Sequence, residues 1–154
     1  MSKELILMLH PTFGVLAVLA AGWVFVEALN ARDANISRLR GASILTAVFM
    51  WLTYIVAGYW YVVFYGADKV IIKDGPWPIA HGFFMETKEH VFLMLLLLAT
   101  FLPIAAYGHV VKNKSVKKLV LWTSALVVLT GLAMEGAGAF ISMGVRVGLQ
   151  AAQV

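Results

Sequence analysis

The sequence predicts an all-α fold, a four-transmembrane-helix up-and-down antiparallel bundle, and three observations carry that prediction. Of 154 residues, 62% are hydrophobic and 13% charged, whereas an ordinary soluble domain is roughly 45–50% apolar and about 25% charged. Four apolar stretches each reach the roughly 20 residues that a helix needs to cross a bilayer. The links between them are short, which forces neighbouring helices to run antiparallel. The chain therefore reads as a single integral domain, 1–154, whose first partner is the lipid bilayer.

The first span covers about 5–29. It is long, has no strong basic segment before it and lacks a small-residue cleavage site, so it reads as a retained helix rather than a signal peptide. The second span, about 42–65, carries Tyr59, Trp60, Tyr61 and Tyr65 near one end, an aromatic belt at headgroup level. The link that follows contains "KDGPWP", a turn-rich segment in which Trp77 extends the belt. The third span, about 83–110, begins somewhere between Phe83 and Val91 and contains Pro103, read as a kink. The fourth covers about 117–141. No internal repeat is evident.

Arg32, Arg38 and Arg40 lie in the first link, and Lys112, Lys114, Lys117 and Lys118 in the third. On the opposite side Lys3, Lys69, Lys73, Lys88 and Arg146 are diluted by Glu4, Asp68 and Asp74. The positive-inside rule then puts both termini outside a bacterial or archaeal inner membrane. The net charge of +4 is thus a topology signal, and no nucleic-acid partner is expected. The absence of cysteine excludes disulfides, thiolate metal sites and covalent haem attachment. No P-loop or serine–histidine pairing suggests hydrolysis or phosphate chemistry.

The polar residues inside the spans carry the candidate chemistry. His10 and His90 fall at similar depth on different helices, so the pair is suited to gripping a flat macrocycle from both faces. Four- and three-residue steps from His10 give Gly14, Ala17 and Ala21, a small-residue stripe that leaves room for a porphyrin or for close helix packing. Pro11 bends the first helix beside His10, or simply starts it. His81 is nine residues from His90, about 900° of helical rotation, so the two face opposite sides of a straight helix. Glu86 stands one turn before His90, where its carboxylate could take the second ring proton. Lys88 and Glu89 read as a solvated first turn. Glu135 lies within the fourth span, and an intramembrane carboxylate is a functional residue by default.

On His10, His90, the small-residue stripe and the four-span layout, the chain resembles four-helix membrane cytochromes of the haem b type and the small haem-bearing anchor subunits of membrane oxidoreductases. The resemblance implies an electron-transfer subunit with one haem b near the periplasmic face, ligated by His10 and His90, with His81 as the alternative ligand. It also implies partners: other subunits of a membrane redox complex, a periplasmic cytochrome and a quinone. Only His109 is available at the other end, so a second bis-histidine haem is not expected. Two further readings stand beside this one. One is a cofactor-free structural or assembly subunit. The other is a non-haem metal site drawn from His10, His81, His90, Met85, Glu86 and Glu135.

Overall fold

The computed structural model describes residues 3–153. Among these residues there are five α-helices and no strand. Helix α1 covers Lys3–Leu29, α2 Ile36–Val63, α3 Tyr65–Asp74, α4 Glu86–Ala106 and α5 Lys114–Ala151. A π-helical turn, Ala80–Met85, leads directly into α4. Four of the described helices, counting the π turn with α4, are long and apolar enough to span a membrane. They pack as a bundle in the order α1, α2, α4, α5, with α5 closing back on α1.

The outer surface of the bundle is apolar. Leu19, Leu97, Ile104, Trp122 and Leu129 are each more than 60% exposed, which a chain in water does not sustain over this many large side chains. Small residues face inward instead. Ala17, Ala21, Val24 and Ala28 of α1 are all fully buried; they let the backbones approach closely where lipid supplies no hydrophobic drive for association.

At the end opposite the termini, basic residues satisfy orphan helix carbonyls, as the helix dipole favours. Lys117 Nζ donates to Leu29 O at the end of α1 (3.0 Å), and Arg40 Nε donates to Ala106 O at the end of α4 (3.4 Å). Asn113 caps α5, its Oδ1 accepting from Ser115 N (2.9 Å) and Val116 N (3.3 Å).

Several boundaries differ from the sequence expectation, the end of the third span at Ala106 rather than 110 among them. The second helix begins at Ile36 rather than near 42, because Asn35 closes the preceding turn by accepting from Arg32 N. The third span starts earlier, through the π turn. The last helix runs on to Ala151, not 141; at 38 residues it is about 57 Å long, well beyond the roughly 30 Å of hydrocarbon. Its overhang is covered by α3. Gly148 permits that contact, since a Cβ there would meet the Ile71 carbonyl at 2.7 Å, and Gly144 admits the π turn beside it, where a Cβ would meet the Ala80 side chain at 2.5 Å. An ion pair from Lys3 to Asp68 (2.9 Å) fixes the start of α1 to α3.

Candidate functional site

Towards the terminal end the helices part around a cavity of about 540 Å³. Tyr54, Trp60 and Tyr61 of α2 and Phe92 of α4 give it aromatic walls; His10, Lys88, Glu89 and Glu135 supply its charged and titratable groups. Tyr61, Val62 and Leu93 line it while being 37%, 82% and 53% exposed, so its mouth lies on the lipid-facing side of α2 and α4.

His10 is held by Thr53. The Thr53 hydroxyl donates its one proton to the His10 carbonyl (2.7 Å), so its oxygen must accept from His10 Nδ1–H (2.7 Å). Thr53 O is a second acceptor at 3.3 Å. The hydrogen therefore sits on Nδ1, and Nε2 carries a lone pair. That lone pair accepts from Lys88 Nζ at 3.3 Å.

Two glycines make space for the charged ends. The position a Cβ would take on Gly14 is filled by the Glu135 carboxylate, and one on Gly138 would lie 3.0 Å from Lys88 Nζ. Lys88 and Glu135 form no ion pair within 4.0 Å. His10, Thr53, Lys88 and Glu135, contributed by four helices, thus converge on one wall. An apolar cavity with a few convergent polar groups is the usual form of a small-ligand site.

The sequence-predicted residues divide. His10, Gly14 and Glu135 come together. The space beside Gly14, expected to admit a porphyrin, is occupied by the Glu135 carboxylate instead. Ala17 is buried in the packing between Met50, Leu95 and Val127 and does not line this cavity.

His90 does not join His10. Lys88 and His90 are two positions apart, about 200° around a helix, so turning Lys88 to His10 turns His90 outward. His90 is exposed, and its Nδ1 bonds the Glu86 carbonyl oxygen at 2.7 Å. The Glu86 carboxylate, expected to partner His90, approaches His81 Nε2 at 3.5 Å. His81, expected nearer the surface, is 3% exposed because the π turn rotates it inward onto the Tyr65 hydroxyl (2.9 Å). The residues of the non-haem alternative are therefore scattered, and among the described residues no three His, Asp or Glu gather to hold a metal ion.

For haem, this donor set offers the Nε2 of His10 as one ligand and no facing histidine within the cavity. Lys88 and Thr53 were the residues that sequence reasoning missed. Thr46, Met50 and Thr53 are all buried at helical spacing, and that inward stripe was the available signal for Thr53.

No family model matches the chain, and neither a curated protein nor a solved structure matches it. What fold and site define is a class: a multi-pass helical membrane protein with an apolar cavity between its helices that carries a few convergent polar groups.

Proposed function

We propose that the chain is the quinone-binding subunit of a membrane redox complex. The observation that carries this reading is the Thr53-fixed His10, whose Nε2 meets Lys88 beside Glu135 on the wall of a ring-lined cavity that opens towards lipid. A quinone matches that chemistry. Its flat ring suits the aromatic walls, and its lipid tail suits a lateral mouth. Lys88 donates to a carbonyl oxygen. In the reduced form, His10 Nε2 and the Glu135 carboxylate accept from the two hydroxyls. Oxidation of the quinol gives up two electrons and two protons; those two acceptors take the protons, and the electrons pass to a redox centre of a partner subunit. In the orientation proposed from the lysine and arginine asymmetry, both termini, and the cavity with them, face the periplasm.

Titrating the purified protein in detergent with ubiquinone-1 tests this, since Trp60 in the cavity wall reports by fluorescence quenching. Saturable quenching is expected, weakened about 10- to 100-fold by Lys88→Met, the range for losing one hydrogen bond to a charged group. Non-saturating quenching that is the same in both proteins contradicts it.

A haem b is the second reading, favoured by the same His10 tautomer. Metal-ligating histidines donate their far ring N–H to a neighbouring oxygen, as His10 does to Thr53. His10 would hold the iron, and the group would supply one-electron transfer. A pyridine haemochrome assay on purified protein decides it: about one haem per chain supports this reading, and none removes it.

A further inference from the structure

We propose that Tyr65, His81 and Glu86 form a proton path joining the cavity to the aqueous phase at the terminal end of the bundle. The inference rests on the quinol reading for the origin of the protons, and it gives those protons a route.

The path is built from groups that the cavity chemistry has not used. Tyr65 and His81 are 2% and 3% exposed, and their side chains meet at 2.9 Å. Burial, together with the neighbouring Tyr61, Glu89, Asp68 and Glu86, holds the Tyr65 hydroxyl above its ordinary range, so the phenol keeps its proton and donates. His81 Nδ1 is then the acceptor, and Nε2 carries the ring hydrogen. It faces Glu86 Oε1 at 3.5 Å, on a side chain that is 51% exposed. The outer end of the path therefore lies at the protein surface near the terminal end of the bundle.

The inner end reaches the cavity. Tyr65 stacks on Tyr61, with ring centroids 5.1 Å apart and planes 22° from parallel. Tyr61 and Glu89 both line the cavity. Trp60 and Met85, which also line the cavity, pack on Tyr65 from behind. Tyr65, and beyond it Trp60 and Tyr61, stand between His81 and the ligand space.

One transfer moves one proton. His81 Nε2 releases its hydrogen to Glu86, Nδ1 takes the phenolic proton of Tyr65, and the Tyr65 oxygen is reprotonated from the Tyr61 and Glu89 side. Glu86 then releases the proton to water, and no electron moves. The charged groups around His81 are Lys69 and Lys73 of α3 and Glu86 and Glu89 of α4. Asp68 of α3 is paired with Lys3, and the α5 residues packed here, Ile141, Gly144 and Val145, carry no charge.

The test needs no ligand. A rapid pH jump with infrared detection follows protonation of the cavity acids, whose bands are assigned by Glu135→Gln and Glu89→Gln. Glu86→Gln, at an exposed position, and Tyr65→Phe should each slow that protonation at least tenfold with its final extent unchanged. Formate in the buffer should restore the rate in Glu86→Gln, which a merely structural role for Glu86 does not predict. Unchanged rates in both variants overturn the path, as does a wild-type protein whose cavity acids never exchange protons with solvent. A slowed jump in protein that fails to bind ubiquinone-1 overturns the quinol reading alone.

Discussion

Replacing Gly14 with alanine separates the cavity's chemistry from the fold's stability. The new methyl would take the place now held by the Glu135 carboxylate, with Thr53 Oγ at an ordinary 3.7 Å. What must move is the far end of a flexible side chain, with an open cavity beside it. A rotamer shift of this kind costs about 0.5–1.5 kcal/mol, against roughly 1–3 kcal/mol for overpacking a closed core. The fold should therefore lose only about 1 kcal/mol, while the carboxylate swings into the space the ligand needs. Losing one charged hydrogen bond costs about 1.5–3 kcal/mol, so ubiquinone-1 affinity should drop about 10- to 100-fold. Fluorescence titration and thermal melting of the same preparation measure both quantities. Gly14→Ala/Glu135→Ala should recover the melting temperature but not the affinity, because the methyl then fits and the acceptor is gone. Wild-type affinity in Gly14→Ala would refute the reasoning, since the carboxylate would then have no part in binding.

Three other outcomes follow. Thr53→Val keeps the shape but removes the oxygen that fixes His10, so stability should fall by about 1–3 kcal/mol, read by thermal melting. Because Tyr65 holds its proton above the ordinary value of 10.0, the folded state binds more protons than the unfolded chain above that pH. Stability should accordingly decline as pH rises past it, and Tyr65→Phe should lessen the decline in melts across that range. Reporter fusions at positions 114 and 153 should give cytoplasmic and periplasmic signals respectively, and the reverse pattern would invert the proposed orientation.

The four spans were legible because length and apolar content alone decide them. The details at their ends were not. Extension of α5 to Ala151 depends on Gly144 and Gly148 accepting α3, a contact between segments about 70 residues apart. The site was half legible. His10 and Glu135 stand out because a polar group inside an apolar run is costly. Lys88 did not, because its neighbours Glu86 and Glu89 make it look like part of a solvated turn. The reason lies upstream: the π turn at Ala80–Met85 extends the helix before Glu86 and changes its register. It buries His81, and Lys88 rather than His90 faces His10. A count of 100° per residue sets His81 and His90 on opposite sides, as they stand in the structure, but the pairing of His10 with His90 rested on depth alone, which does not say which face of α4 turns to His10.

Photoaffinity labelling with an azido-quinone, followed by peptide mapping, tests the central claim most directly. The account predicts that label concentrates on the cavity walls, between Tyr54 and Val62 of α2 and between Gly138 and Ser142 of α5. It also predicts that excess ubiquinone-1 removes the label and that Lys88→Met reduces it. Label spread over the lipid-facing residues, such as Leu97, Ile104 and Leu129, and insensitive to competitor would contradict it.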